Sequence, residues 1–231
     1  MANAIEVSHL TKKYGNHLAL DDVSITVAGG KIIGLLGPNG SGKTTFFKCL
    51  AGLLSFDGLA RVNGMPIGVE SKKVISYLPE RTYLDLSMSV DEVFKLFYDF
   101  YEDFDIARAY DLLDSLGVSR SARLKTLSKG TKEKVQLIAV MARKASIYLL
   151  DEPIGGVDPA AREFIMKTIL TRVNEGSTII ISTHLIRDIE EILDEYIFIN
   201  GSKFVAYGSA KQIHDEGKTV DELFREMFRC F

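Results

Sequence analysis

The sequence predicts an α/β fold with a mostly parallel sheet, an N-terminal antiparallel β subdomain and an inserted helical subdomain. Short apolar runs of strand length alternate with helical segments, which is typical of a parallel sheet covered on both faces. The N-terminal segment instead contains strands joined by short turns, and residues 87–144 have helical periodicity. We therefore expect residues 1–86 and 145–231 to form one core that residues 87–144 interrupt as a helical insert.

Two strands joined by a tight turn open the chain. Residues 5–10 and 18–27 have strand character, and a Gly-Asn pair at 15–16 marks the turn between them. A Gly-Gly turn at 29–30 then leads into the apolar run 31–36, which is predicted to be a buried strand.

A phosphate-binding pattern follows this strand directly. The pattern G-x-x-x-x-G-K-[ST] is matched at every specified position by Gly37, Pro38, Asn39, Gly40, Ser41, Gly42, Lys43 and Thr44. Glycines let backbone N–H groups close around phosphate oxygens, and the helix that follows adds its positive N-terminal end. We expect Lys43 to reach the β- and γ-phosphates, Thr44 to ligate Mg²⁺ and Thr45 to contact the nucleotide. A glycine-rich turn without a ligand is the alternative, but the flanking strand and helix favour a triphosphate site in a P-loop NTPase.

The middle of the chain is predicted to be helical after one more short strand at 74–78. Ser89 and Glu92 form a capping box at the start of an aromatic-rich helix. Further amphipathic helices are expected over 107–116 and 129–142.

Strands return in the last third of the chain. The expected elements are strands at 146–150 and 178–181, helices at 159–173 and 185–193, a hairpin at 196–207 and a C-terminal helix that begins with a capping box at Thr219 and Glu222.

Polar residues stand where two of these strands end. Asp151 and Glu152 follow one apolar strand, and His184 follows another. Ligands of open parallel sheets bind at the carboxyl ends of the strands, so Asp151 is placed to hold Mg²⁺ and Glu152 to polarise the attacking water. The alternative is an exposed turn or a helix cap, which the phosphate loop makes the weaker interpretation.

Further short motifs follow in a fixed order. They are Tyr14, the phosphate loop at 37–44, Leu-Ser-Lys-Gly-Thr at 127–131, a second nucleotide motif at 147–153, Gly-Val-Asp at 156–158 and Ser-Thr-His at 182–184. In order and spacing, over nearly the whole chain, they resemble the ATP-binding subunits of ABC transporters. The short length and the Tyr-Leu-Pro-Glu stretch at 77–80 also resemble those of bacterial ABC-2-type exporters.

The resemblance implies an ATPase that uses ATP and Mg²⁺. According to this resemblance, Tyr14 would stack on adenine, Glu152 would be the catalytic glutamate and His184 would contact the γ-phosphate. A separate transmembrane permease would be the partner, and the chain would work at the cytoplasmic face of the cell membrane as a peripheral subunit.

The resemblance also implies a head-to-tail pair of ATP-binding subunits that sandwich two ATP molecules. Ser128 and Gly130 of one subunit, at a helix N-terminus in the insert, would bind the ATP held by the other subunit's phosphate loop. Asp158 would lie at the same interface. ATP then joins the subunits, and hydrolysis separates them.

Several positions depart from the family pattern. Lys129 stands where a second glycine is common, Thr131 where glutamine is common, and Ile154 where a small hydroxyl residue is common. Glu80 replaces a glutamine. Its carboxylate can ligate Mg²⁺ and is a candidate catalytic and metal residue, but it cannot donate a hydrogen bond when ionised.

The composition limits the kinds of partner that we expect for this chain. The net charge of −3 gives no general attraction to nucleic acid, so no nucleic-acid partner is expected. No apolar run has the length of a membrane span, and the start of the chain does not resemble a signal peptide. Two cysteines are too few for a disulfide framework, and Cys49 is expected in the core.

Two other function classes are less favoured. A soluble ABC-type ATPase acting on nucleic acid or ribosomes would generally have two cassettes or long coiled coils. A small-molecule kinase or GTPase would leave Ser128 and His184 unexplained. Within the transporter interpretation, the apolar and aromatic residues of 83–104 are expected either to receive a permease helix or to form the insert's own core.

Overall fold

The computed structural model describes residues 3–155, 159–173 and 176–228. Asp158 of the sequence prediction lies outside these ranges. The strands are β1 Asn3–Tyr14, β2 His17–Ala28, β3 Ile32–Leu36, β4 Asp57–Val62, β5 Met65–Pro66, β6 Ile75–Leu78, β7 Ile147–Asp151, β8 Thr178–Thr183, β9 Glu195–Asn200 and β10 Lys203–Ser209. The helices are α1 Lys43–Leu50, α2 Val69–Val74, α3 Val90–Phe100, α4 Ile106–Ser115, α5 Lys129–Met141, α6 Pro159–Val173, α7 Ala210–Asp215 and α8 Val220–Phe228.

The strands form two sheets among the described residues. The main sheet has the order β10-β9-β3-β8-β7-β6, with β10 as an antiparallel edge strand on an otherwise parallel sheet. The smaller sheet, β2-β1-β4-β5, is antiparallel. This architecture confirms the predicted α/β fold with a mostly parallel sheet and an N-terminal antiparallel part.

The apolar strand β3 is buried on both faces, which explains its lack of alternation. Ile33 and Leu35 pack into the core shared with the antiparallel sheet and α1. Ile32 and Leu36 pack into the core on the opposite face. Because side chains alternate along a strand, a strand between two cores needs apolar residues at every position.

A third core lies among the helices α3, α4 and α5. Phe94 and Phe97 of α3 are buried against Phe104, with ring centroids 6.3 and 5.7 Å from it. The predicted capping box is present, since Ser89 N donates to Glu92 and Glu92 N donates to the Ser89 hydroxyl. Leu96 and Phe100 of the same helix are exposed.

The predicted helix at 185–193 is wrong. The structure has two 3₁₀ turns there, Ile186–Asp188 and Glu190–Ile192. In a 3₁₀ turn, residues three apart share a face, and this geometry buries both Ile186 and Ile189. The C-terminal helix is as predicted: its capping box is formed, and Phe224 and Phe228 pack on Phe198.

No helix in the described ranges is long and apolar enough to cross a bilayer.

Candidate functional site

The loop between β3 and α1 is shaped by its glycines. A side chain at Gly37 would put its Cβ 2.3 Å from the Ile199 carbonyl oxygen, and one at Gly42 would lie 2.5 Å from that of Ala19. Gly40 has open space but a φ of +79°, which L residues rarely adopt. The loop therefore folds against the neighbouring strands only with glycine at these positions.

Lys43 is the first residue of α1 and is buried. Its Nζ donates to the carbonyl oxygens of Gly37 and Pro38 at 2.8 and 3.2 Å. It also lies 3.6 Å from Oε1 of Glu152. Burial lowers the pKa of Lys43, and the charges of Glu152 and Asp151 oppose that shift. The loop thus curls around its own lysine and holds a cation at the helix N-terminus.

Asp151 ends strand β7 and is buried. Its Oδ1 accepts a hydrogen bond from the Ser182 hydroxyl at 2.5 Å, and the Thr44 side chain is a further partner. Burial raises the pKa of Asp151, while the bonds from Ser182 and Thr44 oppose the shift. The structure therefore brings the second nucleotide motif against the end of the phosphate loop.

Glu152 follows with a left-handed backbone conformation, φ +49°. Its N–H donates to the Ser182 carbonyl at 3.0 Å, which anchors the bend to the neighbouring strand β8. Non-glycine residues adopt this conformation at a cost of order 1–3 kcal/mol, and such costs concentrate at functional sites. The bend turns the carboxylate toward His184, whose Nδ1 lies 3.1 Å from both carboxylate oxygens.

A cleft of about 1050 Å³ opens over these residues. Of the sequence-predicted site residues, its lining includes Tyr14, Asn39, Gly40, Gly42, Lys43, Thr44, Thr45, Glu80, Glu152 and His184. Gly37, Pro38 and Ser41 belong to the same loop but are not among the lining residues. The volume is at the upper end of the range typical of small-molecule sites.

A second cavity of about 30 Å³ has four carboxylates in its lining, those of Glu80, Glu133, Asp151 and Glu152. Carboxylate and hydroxyl oxygens are the ligands that Mg²⁺ prefers. The residues in the described ranges form no cluster that would hold a metal by itself. Mg²⁺ is commonly bound by one or two protein oxygens together with substrate phosphates and water.

Comparison with known proteins agrees with this geometry. A family model described as ABC transporter matches residues 20–155. An ABC transporter ATP-binding protein of Methanocaldococcus jannaschii is 36% identical over 219 residues, which is 92% of this chain and 80% of that protein. A solved ATP-binding subunit of an ABC transporter is 28% identical and matches with a TM-score of 0.88, covering 96% of this chain and 98% of that chain.

The chain belongs to the ATP-binding subunits of ABC transporters. It is an ATPase that powers a separate membrane permease, and the main sequence prediction is confirmed.

Relatives of this ATP-binding subunit serve different cargoes. The lipopolysaccharide export system ATP-binding protein of Haemophilus influenzae is 28% identical over 97% of this chain and 98% of that protein. A manganese transport system ATP-binding protein of Listeria innocua is 29% identical over 93% of each. The shared property is therefore the ATPase and not the transported substrate.

The signature segment of the subunit forms a helix cap. The Ser128 hydroxyl accepts from the Thr131 backbone N–H at 3.1 Å and lies 2.8 Å from the Thr131 hydroxyl. Gly130 faces open space. Neither Ser128 nor Gly130 is among the residues that line the cleft, but the neighbouring Lys129 is.

Sequence reasoning missed several residues of the cleft. His17 pairs with Tyr14 across the β1–β2 turn and lines the cleft beside it, although the sequence offered no motif for it. Arg81 and Thr82 follow Glu80, and Lys132 and Glu133 follow the signature. Arg81 could have been suspected from the sequence, because it is a basic residue directly after the candidate metal ligand Glu80.

Proposed function

We propose that the ATP-binding subunit holds MgATP in this cleft and hydrolyses it between two copies or close relatives of the chain. The observation that carries the proposal is the convergence of Lys43, at the start of α1, with Asp151 and Glu152 at the end of β7. The unpartnered hydroxyl of Ser41, buried within the phosphate loop, supports the loop's role as a receptor for further polar groups.

The nucleotide lies with its base on Tyr14 and its phosphates along residues 37–45. Tyr14 lines the cleft and is 46% exposed, so its side chain is accessible to a base for stacking. Backbone N–H groups of the loop and Lys43 bind phosphate oxygens. Mg²⁺ supplies charge neutralisation of the phosphates when bound, with Thr44, Asp151 and Glu80 as the residues that would hold it.

Glu152 and His184 perform the chemistry in this proposal. The carboxylate of Glu152 accepts a proton from the attacking water as the water oxygen bonds to the γ-phosphorus. The bond between that phosphorus and the β–γ bridging oxygen breaks, giving ADP and inorganic phosphate. His184 orients the carboxylate through their 3.1 Å contact and faces the γ-phosphate.

A second subunit completes each site. Ser128 caps helix α5 and Gly130 lies in its first turn, and this N-terminal end can bind a phosphate that a partner subunit presents. Asp158 is proposed to lie at the same interface. The core at residues 1–86 and 145–231 and the insert at 87–144 then act as two parts of one subunit, one holding ATP and the other engaging the partner's ATP.

The permease is proposed to contact the insert at the cytoplasmic face of the membrane. Tyr83, Leu86, Tyr98 and Phe100 are exposed and lie in or beside α3, whereas Phe94 is buried. The aromatic residues of 83–104 thus divide between the insert's own core and an exposed surface. That exposed set is the part available to a permease helix.

The sandwich is tested by a pair of matched serine variants. Ser128→Ala and Ser89→Ala each remove an N-cap hydroxyl from a helix of the insert. In a Glu152→Gln background with MgATP, Ser89→Ala should sediment as a dimer and Ser128→Ala as a monomer. Equal dimer formation by both variants would refute the role of Ser128. If Glu152→Gln without a serine substitution remains a monomer with MgATP, the sandwich itself is refuted.

Permease docking is tested by hydrogen exchange on the assembled complex. Protection should appear in 83–101 and not in 57–62, where Leu59 is 68% exposed on the antiparallel sheet. Absence of protection across 83–101 would refute the proposed contact surface.

A further inference from the structure

Helix α5 contains a polar side chain where its neighbours are apolar. Gln136 is 3% exposed and stands between Val135 and Leu137, which are also buried. A buried primary amide costs free energy unless its donors and acceptor are satisfied, so its partners identify what it does.

The partners of Gln136 lie on both sides of the Glu80–Arg81 pair. Oε1 accepts hydrogen bonds from the Thr82 hydroxyl at 2.5 Å and from the Tyr83 backbone N–H at 3.3 Å. Nε2 donates to the Pro79 carbonyl oxygen at 3.4 Å. The Gln136 side chain therefore forms hydrogen bonds to the residue that precedes Glu80 and to the two residues that follow Arg81.

Glu80 and Arg81, which lie between these hydrogen-bonded residues, belong to the candidate nucleotide site. Glu80 and Arg81 both line the 1050 Å³ cleft, and Glu80 also lines the small cavity with Asp151 and Glu152. Glu80 is itself exposed. The bonds from Gln136 thus hold the backbone from which both charged side chains reach into the cleft.

We propose that Gln136 is a positioning residue of the ATPase, which fixes the Glu80–Arg81 loop to helix α5. The inference rests on the role of Glu80 in the proposed function and deepens it. Because Ser128 caps the N-terminus of α5, a displacement of the loop on nucleotide binding would be carried to the helix proposed to meet the partner's ATP. The nucleotide's base and the phosphate loop do not depend on Gln136, so its loss affects turnover more than ATP binding.

The test compares Gln136→Leu with Glu80→Ala and with the double variant, using kcat, KM and the melting temperature of the full chain. Misplacement of a site group by about 1 Å can cost up to ~10²-fold in rate. We expect Gln136→Leu to lower kcat by about tenfold with KM changed by less than about threefold. In the Glu80→Ala background the same substitution should lower kcat by less than about threefold, because the positioned group is already gone.

Each outcome decides a different point. Full additivity of the two substitutions, or an unchanged kcat in Gln136→Leu while Glu80→Ala is slow, overturns the positioning role and leaves the proposed function standing. An unchanged kcat in Glu80→Ala overturns the proposed role of Glu80 and the inference with it. If Gln136→Leu fails to fold, Thr82→Val tests the same contact: it should be slow, and Thr82→Ser, which keeps the hydroxyl, should restore the rate.

Discussion

The carboxylate of Glu152 lies 3.1 Å from Nδ1 of His184, although 32 residues separate them in the chain. Adjacent parallel strands make the contact: Asp151 of β7 pairs with Ser182 of β8, and the two side chains follow those residues. The same carboxylate lies 3.6 Å from Lys43. The residue proposed to take the proton is thus held between a cation and an imidazole.

Glu152→Gln should bind ATP nearly as well as the parent protein but turn it over ~10²- to 10⁴-fold more slowly, because the amide cannot accept the proton. ATP affinity should be measured by equilibrium titration and turnover by phosphate release. Glu70→Gln, at an exposed position of α2, is the control and should leave both unchanged. Turnover within threefold of the parent would exclude Glu152 as the general base.

Asp151→Asn should abolish most turnover and yet raise thermal stability. Burial raises the pKa of Asp151, so the folded state holds this proton more tightly than the unfolded state does. The stability contributed by this group is present below the unfolded pKa, about 3.9, and is lost as the pH rises through the folded pKa. Asparagine at this position does not titrate, so the Asp151→Asn variant does not lose this contribution to stability as the pH rises.

The melting temperature of Asp151→Asn relative to the parent should therefore increase from pH 5 to pH 7.5, by about 2–4 °C for each 1 kcal/mol. Asp215→Asn, at an exposed position of α7, is the control, and its melting temperature relative to the parent should change less over this pH range. A difference that shrinks as the pH rises would contradict the assignment.

Tyr14→Ala should weaken ATP binding by about 1–3 kcal/mol, which is the usual contribution of base stacking on an aromatic ring. Tyr14→Phe keeps the ring and should bind within about twofold of the parent. Calorimetric titration of ATP against both variants checks this. Equal losses in the two variants would assign the effect to the hydroxyl instead of the stacked ring.

Arg143→Ala should destabilise the fold by about 3–5 kcal/mol, the usual cost of breaking a buried ion pair by removing one partner. Arg143 is 3% exposed, pairs with Asp103 and donates to the Ile75 and Lys73 carbonyls. Its guanidinium also stacks 3.9 Å from the ring of Tyr101. It thereby fastens the insert to the start of β6.

Urea unfolding measures the loss in Arg143→Ala. Lys211→Ala removes an exposed pair with Asp215 and should cost less than about 1 kcal/mol. Similar losses in the two variants would contradict the structural role of Arg143.

Most of the phosphate site could be predicted from the sequence because its geometry is local. Gly37 to Thr44 must pass from a strand to a helix in a few residues, and only glycine fits the close approaches at 37 and 42. The strand-end positions of Asp151 and His184 also followed from residue order, since parallel strands end at one edge of the sheet.

Residues without a local signature could not be predicted. His17 enters the cleft because a two-residue turn places it opposite Tyr14. The helix expected at 185–193 is replaced by two 3₁₀ turns. Buried Glu190 in the second turn accepts hydrogen bonds from Val220 N and His214 of the C-terminal helices. Val220 and His214 are more than 20 residues from Glu190 in the chain, so a prediction from local sequence patterns does not include these contacts.

The sequence by itself determined the α/β class, the phosphate loop and the family, because each depends on short-range periodicity or on motifs whose residue types are fixed by chemistry. Only the tertiary structure decided that Glu152 meets His184 and Lys43, and that Gln136 pins the loop of Glu80. Those contacts depend on which strands and helices become neighbours, and that choice is made by packing the whole chain around its shared cores.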